Sequence, residues 1–332
     1  MTRTPIPQEA LGTLRSEARH REQTFLDDVD RLVRWEQFRP QLASLYAANG
    51  RPAHDPVRML KLVFVQRLYN LSDEEAIRQL DDRRSFERFV GLDRLDASSL
   101  THFRKRLAQA GAALLDTMLD TIHLEIARQG YTMQSGSIVD ASLIASRHRP
   151  GARFEGGAHE GEVIDPDATT VAREHNGRTA YYHGMKLHLR CSTDGIVQTV
   201  RVTPNTVHDT VLLPELVEHG PPCDVLYADR GYDSEANRTV LFRKKTRDGI
   251  MRRVPRTKAH KRRTITARNR RLAQKRGRIE GIFGVMKRTT TTRLRYRGAA
   301  TNAVQAAVDG IVYNLKRIVR WKFGRSPALY LA

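Results

Sequence analysis

The chain has 332 residues, 40% of them hydrophobic, enough for a sizeable core and, at roughly 150 residues per domain, for two units. Only Cys191 and Cys223 are present, which excludes a disulfide framework or a Cys-rich zinc site. No signal peptide and no apolar run of roughly 18 residues is evident, so a cytosolic, reduced protein is expected. The formal net charge of +20 resides in one stretch: Arg243–Arg297 holds 22 Lys/Arg against Asp248 and Glu280, leaving 35 basic against 35 acidic residues elsewhere. So strong and local a field suits a polyanion, because neutralising phosphates releases condensed counterions.

Taken in chain order, residues 1–130 read as an all-α domain. Apolar positions recur at three and four spacing in Phe25–Trp35, Val57–Tyr69 and Ala112–Ile126. Ser72-Asp-Glu-Glu75 has the form of a capping box opening a helix through Leu80, and a short helix follows over Ser85–Val90. Ser98 or Ser99 is expected to cap a third helix, which carries Arg104, Lys105 and Arg106 beside Phe103 and Leu107. Residues 72–107 thus resemble a helix-turn-helix DNA reader, with a plain helical bundle as the alternative.

From Ser137 the period changes to that of strands, over Ile138–Ile144, Met185–Ser192 and Val197–Thr203. A helix over Thr210–Glu218, a strand over Asp224–Asp229 and a helix from Ser234 complete a βββαβα order. Residues 149–183 read as a long excursion, with no period. The basic window is broken by apolar residues at helical spacing, which predicts a folded cationic face with a mobile segment near Arg256–Thr266. The helix of Asn302–Trp321 is expected to pack into the core, a dimer contact being the other reading.

Three carboxylates are oddly placed. Asp140 interrupts the apolar strand Ser137–Ile144, where a lone charge is costly unless it serves a ligand; a solvent-facing Asp at a strand end is the bland alternative. Asp229 ends Val225-Leu-Tyr-Ala, at the carboxyl end of a strand, where open α/β sheets bind ligands; it could equally form a turn. Glu280 sits alone among cations, where it would repel a nucleic acid; a solvated Glu in an i, i+4 pair is the bland alternative. At about 100° per residue, Arg276 lies roughly 40° and Lys287 roughly 20° to one side of Glu280, beside an apolar arc of Ile279, Ile282, Phe283 and Met286. Such a helix can pack on the sheet and aim Arg276, Glu280 and Lys287 into one cleft. Three oxygen donors suit Mg²⁺ or Mn²⁺ rather than zinc.

These residues resemble a known family. Asp140, Asp229 within Tyr-Ala-Asp-Arg-Gly-Tyr-Asp, and Glu280 within Arg276-x3-Glu280-x6-Lys287 look like the DDE triad of bacterial insertion-sequence transposases. The segments Arg51–Leu60, Leu68–Asp73, Ser85–Leu92, Lys186-Leu-His-Leu and Val207-His-Asp209 are similar to the InsH-like group, so the resemblance runs from about residue 15 to 320. One departure is Ala273, where related transposases often carry Tyr three residues before the motif arginine.

The resemblance implies an RNase H-like mixed β-sheet flanked by helices over 131–322, the all-α DNA-binding domain before it and a tail over 323–332. It further implies two Mg²⁺ or Mn²⁺ ions on Asp140, Asp229 and Glu280 as catalytic residues, with cleavage at terminal inverted repeats followed by strand transfer. The expected partners are double-stranded DNA and a second copy of the chain, in a bacterial cytoplasm at the nucleoid. Arg276 and Lys287 are expected near the scissile phosphate. Arg252, Arg253, Lys261, Arg262 and Arg263 would lie along flanking duplex, and Arg104, Lys105 and Arg106 on the reader helix. The alternatives are an RNase H-like nuclease that cuts without joining, a chemically silent DNA-binding protein, and an RNA-binding arginine-rich segment.

Overall fold

The computed structural model describes residues 23–46, 53–92, 95–147, 165–175, 178–254 and 259–324. The helical part contains α1 (Phe25–Leu32), α2 (Arg39–Ala43), α3 (Pro56–Leu68), α4 (Asp73–Asp82), α5 (Arg84–Val90), α6 (Ala97–Ala110) and α7 (Ala112–Arg128). Local capping decides several of its boundaries. Thr24 and Asp27 form a reciprocal capping box at α1. At α4 only half of the expected box forms: Ser72 accepts from the Glu75 amide at 3.1 Å, whereas the Glu75 carboxylate turns to Arg78 and Gln79. The cap of α6 is Asp96, which accepts from the Ser98 amide at 3.1 Å, rather than either expected serine.

The sheet contains β1 (Gly136–Ala145), β2 (Thr169–His175), β3 (Arg178–Ser192), β4 (Val197–Pro204), β5 (Val225–Ala228) and β6 (Arg247–Ile250). Its central order is β4-β3-β1-β5-β6, with β3 antiparallel to both β4 and β1, and β5 parallel to both β1 and β6. This is the RNase H-like order. Two strands escape the sequence pattern. β6 is only four residues long, and β2 lies inside the expected structureless excursion, paired with the first half of β3.

Around the sheet lie α8 (Asp209–Glu218), α9 (Glu235–Arg243), α10 (Ala259–Arg276), α11 (Arg278–Thr289) and α12 (Ala299–Phe323). Residues 259–266 open α10, which corrects the expectation of a mobile segment there; residues 255–258 lie outside the described residues. The larger core joins α1–α7, one sheet face, α11 and α12, while the opposite face packs on α8 and Tyr232. The terminal helix α12 is core-packed as expected, contacting β4, α3, α6 and α7. At its centre Asp309 pairs with Arg67 of α3 at 2.7 Å, both fully buried, and accepts from the Thr291 hydroxyl at 2.7 Å. No described helix is long and apolar enough to cross a membrane.

Candidate active site

The pairing register brings the first two carboxylates together. β1 and β5 run parallel with Ile138 opposite Tyr227, and Asp140 and Asp229 each lie two residues further on. Side chains alternate along a strand, so both aspartates face the same side as Ile138 and Tyr227. Neighbouring strands are ~4.8 Å apart, which makes the two aspartates lateral neighbours. The chain after β5 fixes Asp229, whose carboxylate accepts from the Gly231 amide at 2.8 Å. A Cβ on Gly231 would lie 2.9 Å from that same oxygen, so Asp-Arg-Gly leaves the carboxylate a place that a larger residue would take.

Glu280 arrives from α11, which buries Ile279, Ile282, Phe283 and Met286 against the sheet face that carries Asp140. Burying each of those side chains contributes about 1.5–3 kcal/mol, enough to hold the helix in place. α10 ends at Arg276 and α11 begins at Arg278, with Gly277 between them in right-handed helical conformation. The expected single helix is therefore two, but the expected grouping of Arg276 with Glu280 stands. Arg276 donates to Asp140 Oδ2 at 2.6 Å and to Glu280 Oε1 at 3.0 Å, joining the first and third carboxylates through one guanidinium.

Burial pushes the Asp140 carboxyl up to about 6, and the neighbouring Asp229 charge adds to the rise against the opposing Arg276. Among the described residues, no three His, Cys, Asp or Glu side chains are already gathered as a metal cage. The donor set nonetheless fits a hard cation. Two aspartates are lateral neighbours on central strands, and the two acids bridged by Arg276 already require a positive charge between them. The Glu280 side chain is 65% exposed, with Arg276 on one of its oxygens.

The remaining motif residues separate into distinct roles. In the β1–β3 register, Leu143 faces Lys186 and Ala141 faces His188, which puts both on the sheet face opposite Asp140. There Lys186 pairs with Asp209 at 2.7 Å, and His188, kept neutral by burial with its pKa lowered to about 4, contacts Thr203 at 2.8 Å. These two motifs tie β3 to β4 and α8 rather than entering the cleft.

Lys287, Arg253, Arg262 and Arg263 are exposed, as is Arg252 beside Asp248; the Lys261 side chain lies outside the described residues. Arg104 departs from expectation. It is buried, ion-paired with Asp73 and stacked 4.3 Å from the Tyr296 ring, so it is committed to the interior, while Lys105 stays exposed and Arg106 lies 4.6 Å from Tyr46. Arg147 and Arg297 are also exposed; Arg297 closes the cationic stretch noted in the sequence, whereas nothing local distinguishes Arg147 from other surface arginines.

A family model described as Transposase DDE domain matches residues 133–315, more than half the chain, and one described as Transposase domain (DUF772) matches residues 14–106. The chain belongs to the DDE transposase family. A curated relative, the transposase for insertion sequence element IS1106 of Neisseria meningitidis serogroup B, is 30% identical over 222 residues, 64% of this chain and 75% of the relative. Among solved structures, the chain is similar to a piggyBac transposase synaptic complex with hairpin DNA, at 12% identity and TM-score 0.46 over 88% of this chain and 74% of that one. It is also similar to the Mos1 strand transfer complex, at 10% identity and TM-score 0.27 over 83% and 79%. The strand order described above carries the fold assignment. This insertion-sequence DDE transposase is a DNA-acting enzyme of a family that uses divalent metal ions.

Proposed function

We propose that this transposase cuts the terminal inverted repeats of its element and joins the freed ends to target DNA, both in one site formed by Asp140, Asp229 and Glu280. The observation that carries this reading is the equivalent placement of Asp140 and Asp229 on neighbouring parallel strands, with Arg276 binding Asp140 and Glu280 together. Two Mg²⁺ or Mn²⁺ ions held by the three carboxylates would supply charge stabilisation to the attacking and leaving oxygens of an in-line displacement. In the first step water attacks the scissile phosphorus, one P–O bond forms, another breaks, and a 3′-hydroxyl leaves. In the second step that hydroxyl attacks a target phosphodiester and displaces its 3′ oxygen. Arg276 and Lys287 hold phosphates beside the reacting bond, and the exposed cations of α10 with Arg252 and Arg253 hold flanking duplex. Residues 1–130 act as the end-recognition unit and 131–322 as the catalytic unit. Two ends must meet, so the working form is at least a homodimer on DNA in a bacterial cytoplasm.

Incubating purified protein with a labelled element end and a target duplex tests the reading. Mg²⁺-dependent nicking and joined products are expected, with Asp140→Ala, Asp229→Ala and Glu280→Gln each abolishing both. Cutting that persists in these variants would remove the site. Nicking with no joining would leave the RNase H-like nuclease.

A further inference from the structure

Where the helical part meets the catalytic part, a crevice of about 350 Å³ opens between the start of α4, α6, the end of β1 and the segment that joins α11 to α12. Five cations line it against two carboxylates, Asp73 and Glu74. Its walls are built. Arg104 is held by Asp73 and the Tyr296 ring, and Arg295 is held by the carbonyl and side-chain oxygens of Asn70 at 2.7 and 2.6 Å. Asn70 adopts a left-handed backbone to present both acceptors. The Tyr296 hydroxyl is buried with no partner among the described residues. Over this frame Lys105 of α6, Arg147 just past the end of β1 and Arg297 of the α11–α12 segment stand exposed.

The crevice continues the candidate active site. The chain leaving α11 pairs with the end of β1 at Ser146 and Leu294, so helix and strand run from the carboxylates to the crevice side by side. Lys287, Arg288 and Arg293 are exposed along that path. A free anion needs one cluster, whereas a cationic line leading away from a phosphodiester site matches the backbone of a duplex.

We propose that this crevice is a second phosphate-binding site, in which Lys105, Arg147 and Arg297 grip the DNA backbone of the element end and clamp both parts of the chain onto one duplex. At ~3.3 Å per residue of strand, Arg147 lies roughly 23 Å beyond Asp140. At 3.4 Å per base pair, the gripped phosphate is roughly 7 base pairs from the scissile bond. The inference rests on the transposase reading.

Fluorescence anisotropy with a generic 30-base-pair duplex, titrated across salt, tests it. Each lost phosphate contact lowers the slope of log affinity against log salt by about 0.9. The triple variant Lys105→Gln, Arg147→Gln, Arg297→Gln is expected to lose two to three such contacts, and Lys105→Gln alone one. The control triple Arg31→Gln, Arg320→Gln, Lys322→Gln, on exposed positions away from the crevice, is expected to leave the slope unchanged. An unchanged slope in the crevice variants, or an equal fall in the control, would overturn the crevice. If the parent protein binds and nicks DNA while the crevice variants keep its slope, the crevice alone falls. If the parent protein binds no DNA, the transposase reading falls with it. Thermal melts of both triples confirm folding.

Discussion

At the residue scale, Asp140 shows how burial can outweigh a neighbouring cation at a carboxylate. Its side chain is 17% exposed and is held by Arg276 and the Ala141 amide, yet burial outweighs both and raises its pKa to about 6. A raised carboxyl pKa means that the folded state binds the proton more tightly than the unfolded chain. Its ionisation is therefore harmless below the unfolded value near 3.8 and costs stability progressively as pH rises through about 6. In metal-free protein, Asp140→Asn should melt several degrees higher than the parent at pH 7.5, with the two melting temperatures converging below about pH 4. A constant difference across that range would show that the carboxyl is not destabilised by burial. The isolated Asp140 was legible in the sequence because a charge stood in an apolar strand. The guanidinium that answers it was legible only as a neighbour of Glu280.

At the element scale, the join between α10 and α11 sets the electrostatics of the cleft. Gly277 separates the helices, and Arg276, the last residue of α10, spans from the sheet to Glu280. Its guanidinium already satisfies Asp140 and Glu280, so on the proposed reading a metal ion must compete with Arg276 for these two acids. Without DNA, Arg276→Gln should enlarge the rise in melting temperature produced by Mn²⁺, while lowering DNA cleavage because a phosphate contact is lost. A smaller Mn²⁺ response in the variant would mean that Arg276 organises the donors instead of competing with them. Helical periodicity showed that Arg276 and Glu280 share a side. It carried no information about Asp140, which is 136 residues away in the chain. Short elements were the least visible, since four residues of β6 show too little alternation to register and β2 owes its form to pairing with β3.

At the scale of the whole molecule, α12 joins the two parts. It lies on β4 and on four helices of the N-terminal part, and its Asp309–Arg67 pair is fully buried. Removing one partner leaves an uncompensated charge inside. Asp309→Ala should lose roughly 3–5 kcal/mol in urea unfolding, and Arg67→Met with Asp309→Leu should recover most of it. If the single variant unfolds like the parent, the pair is not what holds the helical part to the sheet. Neither residue had a local signal, because Arg67 reads as one cation on a helix and Asp309 as one acid on another.

Hydrophobic period, breaks in it and charge out of place are local properties. The chain by itself therefore determined the helical first part, the change to strands from Ser137, the three acids and the cationic stretch. Tertiary structure decided which charges meet. Arg104 turned inward while Lys105, Arg147 and Arg297 came to one crevice, and Lys186 and His188 took the sheet face away from Asp140. Such pairings depend on register and on the direction each side chain leaves its backbone, which follow only once distant strands and helices have packed.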